Sequence, residues 1–176
     1  MSFSNTSDQK TSSLSTDQES SQLISGYQAL QQASQQLFAN AHKTIQIYTR
    51  DCDPRILNQR NIEQSVIDLV KRSRYSRIEI LIQTEESLSG IDHRLVSLAQ
   101  RFTSSIGIKL IPRDYFEEAF AFYLVDSKHI LYRQNHQDYH AERRQMPDFL
   151  VKEKSRYFDK IWQESSPASF LRALYL

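Results

Sequence analysis

From Leu23 to about Ala41, apolar side chains recur as Leu23, Tyr27, Leu30, Ala33, Leu37, Phe38 and Ala41, the spacing of a helix with one buried stripe. Thr44 to Thr49 then alternates Ile45 and Ile47 with polar neighbours and reads as a strand. Pro54 follows, and proline neither donates to a ladder nor leaves the residue before it free. The polar group Arg50, Asp51 and Asp53 therefore falls just past a strand's C-terminal end. Asn61 is placed to cap a second helix, with Gln64 in the capping-box position and Ile62, Val66, Leu69 and Val70 as its buried face. Arg77 to Gln83 is a second strand. A third helix opens at Asp92 and buries Leu95, Leu98, Ala99 and Phe102, and Ile106 to Ile111 is a third strand. Strands separated by helices of this length imply right-handed crossovers and a parallel sheet.

The pattern then changes. Residues 118–125 and 129–133 are strand-like and separated only by Asp126, Ser127 and Lys128, too few for a crossover, so they pair antiparallel. The fold class is α/β with a mixed sheet flanked by helices, in the order α-β-α-β-α-β-β-β-α, which argues against flavodoxin-like, response-regulator and Rossmann folds. A polar connection runs from Asn135 to Gln145. A long helix from about Asp148 to Glu164 places Tyr157, Phe158, Ile161 and Trp162 on one side. The apolar ending Phe170, Leu171, Leu174, Tyr175 and Leu176 is expected to dock on the body or on a partner.

Composition refines this picture. The chain has 176 residues and a formal net charge of +1, one domain's worth of material with no demand for a polyanionic partner. Residues 1–22 are mostly Ser, Thr, Asp, Gln and Asn; they bury too little apolar surface to offset ordering and are expected to be a disordered tail before a domain at 23–176. Neither a secretory signal nor a membrane-spanning run of roughly 20 apolar residues is present. The single cysteine, Cys52, offers no internal bridge, which fits a reducing, cytoplasmic setting.

Several local runs resemble one half of a phospholipase D superfamily enzyme over roughly residues 24 to 165. Lys43 to Tyr48 is similar to that family's first strand and Ile78 to Ile82 to its second. Tyr123-Leu124-Val125-Asp126-Ser127-Lys128 is similar to its apolar-apolar-Asp-Gly-Lys turn, and Phe158 with Trp162 to the signature of its closing helix. The resemblance further suggests an uncharacterised proteobacterial family of this fold. It implies a His-x-Lys-x4-Asp motif, in which one histidine attacks phosphorus, a second protonates the leaving group and lysines hold the phosphoryl oxygens. Here the histidine position is Ala119, the lysine position Ala121, and only Asp126 remains; the downstream Gly-Ser-x-Asn element is replaced by Arg133-Gln134-Asn135-His136. A methyl group neither forms a covalent intermediate nor transfers a proton. The expectation is a non-catalytic binding or regulatory module, and a lone half is expected to pair as a homodimer or with a protein partner.

Other chemistries leave fewer traces. Gly26, Gly90 and Gly107 are isolated, so no glycine-rich loop cradles a phosphate, and no cofactor is implied. His136 and His140 have a metal-compatible spacing only on a helix, and their polar surroundings, with no Cys nearby, read as solvated side chains instead. Between Asp92 and Asp114 the bases Arg94, Arg101, Lys109 and Arg113 meet no acid, and Arg94 and Arg101 lie on one side of the third helix with His93 at its start. With Arg50, Asp51, Asp126 and Arg133 they form the candidate site for a phosphorylated ligand or nucleic acid around a vestigial cleft. The alternative is a solvated helix face with ion pairs to Asp51, Asp126 or Glu79. A second basic zone, Arg143, Arg144, Lys152, Lys154 and Arg156, is diluted by Glu142, Asp148, Glu153 and Asp159. An enzyme using Asp51, His93 and Asp126 is a third reading, which requires the three to converge in one pocket.

Overall fold

A computed structural model describes residues 21–88 and 92–171. The expected disordered tail lies outside the described residues apart from its last two, and Leu174, Tyr175 and Leu176 of the apolar ending lie outside them too. The elements are β1 (Gln22–Ser25), α1 (Tyr27–Ala39), β2 (Thr44–Tyr48), α2 (Pro54–Leu57), α3 (Arg60–Arg72), β3 (Arg77–Ile82), α4 (Arg94–Arg101), β4 (Ile106–Leu110), β5 (Ala121–Val125), β6 (His129–Arg133), β7 (His140–Gln145), α5 (Phe149–Glu164) and β8 (Ser166–Pro167). They build an eight-stranded sheet in the order β1-β7-β6-β5-β2-β3-β4-β8. The strands β2, β3 and β4 are parallel, and every other pairing is antiparallel. The mixed α/β sheet expected from the sequence is therefore the fold.

The sheet buries both faces. Ile45, Ile47, Ile78, Ile80, Tyr123 and Leu131 pack with α1, α3 and α4, while Tyr48, Leu81, Phe122, Leu124 and Ile130 pack with Val151, Phe158 and Ile161 of α5. The run Ala121 to Val125 is buried at every position, as a strand covered on both sides must be. On the second face the Tyr48 and Phe122 rings stack at 5.3 Å and Phe158 stacks on Trp162 at 5.9 Å. Gly107 admits the Trp162 indole against β4, where a Cβ would meet it at 3.1 Å.

Three strands depart from the sequence expectation, the shortest being β8, a two-residue pairing with Lys109 and Leu110 of β4. Gln22 to Ser25 is not the first turn of the opening helix. It pairs with β7, Leu23 stays 79% exposed, and Gly26 at φ 96° turns the chain before α1, its N–H donating to the Tyr139 carbonyl at 3.0 Å. The polar connection from Asn135 to Gln145 contains β7, whose ladder partners β6 and β1 satisfy its backbone while Ala141 alone is buried. Smaller corrections concern helix starts. α3 begins at Arg60 with no side-chain cap, so Asn61 lies inside it, and α4 is capped by His93, not by Asp92. The described part of the apolar ending docks in cis. Ala168 is fully buried, its N–H bonds the Ile108 carbonyl at 3.1 Å, and Phe170 and Leu171 pack on the core. Among the described residues no helix is long and apolar enough to cross a membrane.

Candidate functional site

The C-terminal end of β2 runs into a tight loop built by its own side chains. Thr49 Oγ1 accepts from the Cys52 N–H at 2.7 Å, and Asp51 Oδ1 accepts from the Asp53 N–H at 3.1 Å. Cys52 and Asp53 lie in the left-handed region at φ 62° and 43°, a conformation that costs a non-glycine residue about 1–3 kcal/mol. His93 holds the loop down. It is 1% exposed, its Nδ1 accepts from the Leu95 N–H at 3.2 Å, and its Nε2 therefore carries the proton and donates to the Cys52 carbonyl at 3.1 Å. Burial pushes the imidazole below its ordinary value and outweighs the Cys52 contact that favours its charge. The Asp53 carbonyl then accepts from the Ile56 and Leu57 N–H groups and starts α2.

This loop aims the Asp53 carboxylate inward. Its Oδ2 accepts from the Tyr123 hydroxyl at 2.6 Å and from Arg133 Nη2. Arg133 is 2% exposed and also donates from Nη1 to the His136 carbonyl at 3.0 Å. Burial raises the Asp53 carboxyl more than the guanidinium and the phenol lower it. Burial works against charge on Arg133, but Tyr123 and Asp53 hold the guanidinium above its usual value. Burial likewise drives the Tyr123 phenol well up.

Above this triad opens a cleft of about 530 Å³ whose wall includes Arg50, Asp51, Asp53, Arg55, Arg133, His136 and Tyr139. The Arg50 side chain is exposed and its guanidinium makes no hydrogen bond or ion pair with the described residues, while Arg55 Nη1 donates to the Tyr139 hydroxyl at 3.2 Å. The His136 imidazole is lowered by burial and by the nearby Arg50 charge. The His136 N–H donates to the Ala119 carbonyl at 2.7 Å. Ala121 is fully buried directly across the ladder from Arg133, on the face it shares with Tyr123, and Ala119 is exposed just before β5.

The seven residues singled out in the sequence do not share one place. Arg50, Asp51 and Arg133 line the cleft. His93 is buried behind its loop. Arg94 pairs with Glu63 at 2.5 Å across α3 and α4, and Arg101 lies 5.1 Å over the Phe102 ring. Asp126 is at the opposite end of the sheet, where Oδ1 accepts from the Lys43 and Thr44 N–H groups at 2.7 and 2.9 Å and Oδ2 from the His42 N–H at 2.9 Å. Burial opposes its charge, but these three amides together hold the carboxyl below its ordinary value. The triad of Asp51, His93 and Asp126 thus does not converge. In the second basic zone, Lys154 is a buried cation 4.0 Å over the Phe120 ring, and Arg144 pairs with Glu142 and Asp148. Asp53, Arg55, His136 and Tyr139 are wall residues that the candidate site left out, and Tyr123 lies beneath them; the polar group past β2, and the stretch from Arg133 to His136 standing where the family element is missing, were the available signals. Among the described residues no group of three or more His, Cys, Asp or Glu is placed to hold a metal ion.

A family described as Domain of unknown function (DUF7931) matches residues 26–174. No curated protein matches the sequence. Among solved structures, the fold is similar to Nuc, a phospholipase D family member from Salmonella typhimurium, at TM-score 0.56 and 12% identity over 85% of this chain and 97% of Nuc. NucT from Helicobacter pylori is similar at TM-score 0.59 and 12% identity, covering 84% of this chain and 98% of NucT. TrmBL2, an archaeal chromatin protein with a novel mode of DNA binding, is similar at TM-score 0.61 and 11% identity over 84% of this chain. The match spans only 54% of TrmBL2. At these identities the likeness is one of fold.

Proposed function

We propose that this chain, which belongs to the DUF7931 family, is a non-catalytic domain of phospholipase D-like fold that binds a phosphate-bearing ligand in the cleft at the end of β2. The observation that carries this reading is the pairing of Ala121 with Arg133. Where the enzyme pattern puts a free lysine, this chain has a methyl group beside a guanidinium committed to Asp53 and Tyr123. No nucleophile stands at Ala119, where a methyl group neither attacks phosphorus nor moves a proton. What the cleft retains is charge at its mouth. The Arg50 guanidinium has no hydrogen-bond or ion-pair partner among the described residues, and the Arg55 guanidinium donates only to a phenol. Guanidinium forks in such a setting supply paired hydrogen bonds to phosphoryl oxygens. Self-pairing of two copies in the cytoplasm belongs to the same reading, since phospholipase D-like halves work in twos.

The test joins turnover and binding. Purified protein is assayed with bis(p-nitrophenyl) phosphate, and inorganic phosphate and nucleoside monophosphates are titrated calorimetrically against wild type and Arg50→Ala/Arg55→Ala. Absence of hydrolysis is expected, together with binding weakened roughly tenfold per arginine, since a charge-assisted hydrogen bond is worth about 1.5–3 kcal/mol. Hydrolysis that disappears in His136→Ala would overturn the reading, because His136 lines the cleft and would then be a relocated nucleophile. Binding unchanged in the double variant would remove the cleft as the site.

A further inference from the structure

The opposite end of the sheet is basic in a way the cleft does not explain. A pocket of about 580 Å³ opens between the segment leading into β2, the β5–β6 turn and β7, with Lys43, Lys128, Arg143, His42 and His129 in its wall. The carboxylate in that wall is Asp126, whose two oxygens are committed to three backbone N–H groups. The side-chain cations of Lys43, Lys128 and Arg143 make no hydrogen bond or ion pair with the described residues. Backbone contacts make this a continuous rim. The Met146 N–H bonds the Lys128 carbonyl at 2.8 Å, the Asp126 N–H the Thr44 carbonyl at 3.0 Å, and the Arg77 N–H the Lys43 carbonyl at 3.0 Å. Beyond Arg77 the rim ends at Tyr75, a ring 68% exposed with the Arg74 guanidinium 4.7 Å from its centre.

We propose that this rim binds single-stranded nucleic acid, independently of the cleft. From β7 to β3 it crosses five adjacent strands, about 19 Å at the usual interstrand spacing of ~4.8 Å. That length takes several phosphates at the roughly 3.4 Å axial spacing of a stacked strand. Three unengaged cations along it, from β7, the hairpin and the start of β2, match a polyanion that runs rather than a single anion. Tyr75 on Arg74 adds the kind of ring face on which a base stacks whatever its identity. A lipid surface would ask for apolar side chains among the cations, and the pocket wall offers only Leu37.

The experiment uses the full chain and fluorescein-labelled oligo(dT) and oligo(U) 20-mers, with anisotropy read between 50 and 200 mM KCl. Binding of both is expected, with a log–log salt slope of about −2 for three phosphate contacts at ~0.7 each. Lys43→Ala/Lys128→Ala/Arg143→Ala is expected to weaken binding at least tenfold at 50 mM KCl and flatten the slope. These side chains hold no structural bond, so an unchanged urea midpoint shows the variant folded. Tyr75→Ala is expected to weaken binding about fivefold or more with the slope intact. The proposal is overturned if wild type binds neither oligonucleotide at 50 mM KCl, or if the triple variant binds like wild type. Loss of binding in Arg50→Ala/Arg55→Ala instead would place the nucleic acid in the cleft and overturn it too. Binding to inorganic polyphosphate or phosphatidylglycerol vesicles but not to either oligonucleotide would overturn the ligand class.

Discussion

Replacing Arg133 with methionine keeps most of the side chain's volume and removes the guanidinium. Asp53 is then left with the Tyr123 hydroxyl as its only side-chain donor, 11% exposed at the bottom of the cleft. Removing one member of a buried ion pair costs about 3–5 kcal/mol, because the remaining charge stays desolvated. With a urea m-value of roughly 2 kcal/mol per molar, the midpoint should fall by about 2 M. The pH dependence gives a second readout. Burial already raises the Asp53 carboxyl with Arg133 present, and losing the cation raises it further. A carboxyl raised in the fold binds its proton more tightly there than in the unfolded chain, so stability is greatest at low pH and is lost as pH rises through the folded value. The gap between Arg133→Met and wild type should therefore narrow from pH 7.5 to pH 5. Asp53→Asn strands the guanidinium instead, and the double variant should cost at least 2 kcal/mol less than the two single costs added. Urea unfolding followed by circular dichroism measures all four proteins. A loss under about 1 kcal/mol in Arg133→Met, a gap that does not change with pH, or additive costs would each refute a dry, paired guanidinium.

Three further outcomes follow from the same geometry. His93→Asn keeps an acceptor for the Leu95 N–H and loses the donor to Cys52, so it should cost about 1–3 kcal/mol at pH 7.5. Because the imidazole is lowered in the fold, its contribution is complete above the unfolded value near 6.5 and lost as pH falls through the folded one, by at most about 1.4 kcal/mol per pH unit. Urea curves from pH 7.5 to 5 should thus decline less steeply for the variant. Asp126→Asn should cost about 1–2 kcal/mol at pH 7; with its carboxyl lowered in the fold, wild type should lose this advantage only in acid, below about pH 4, and scanning calorimetry at pH 7 and pH 3 compares the two. Ser127 turns the β5–β6 hairpin at φ 53°, where glycine is unstrained, so Ser127→Gly should stabilise by about 0.5–1 kcal/mol and raise Tm by a few degrees.

The parts of the fold legible in the sequence are those whose signal is local. α1, α3, α4 and α5 each carry a stripe at helical spacing, and β2 to β6 are apolar enough that only a sheet buried on both faces accommodates them. β1 and β7 carry no such stripe. His140 to Gln145 is polar at five of six positions, and it is a strand because β6 on one side and β1 on the other offer its backbone partners. Gln22 to Ser25 in turn exists as a strand because β7 does. The β1–β7 pairing joins residues more than a hundred apart, and composition does not record it. Leu23 looked like helix because its spacing to Tyr27 is helical; one glycine at positive φ separates the two.

The site divides along the same line. Arg50 and Asp51 were legible because a strand that ends at a proline puts polar residues at a sheet's mouth. The same signal placed Asp53 beside them but not its role, since nothing local distinguishes it from Asp51; two left-handed residues turn one carboxylate in and leave the other at the rim. Arg94 and Arg101 looked like site residues because helical spacing shows that two charges share a side and not what they face. One faces Glu63 and the other its own neighbour's ring. Ala121 carries the physical argument furthest. Across the ladder from its buried methyl group stands a guanidinium that needs a counterion, with a carboxylate that needs burial repaid and a phenol that joins them. Arg133 is committed within this triad, so under the proposed function a phosphate-bearing ligand is held by Arg50 and Arg55 at the rim, and the buried guanidinium keeps the floor in shape.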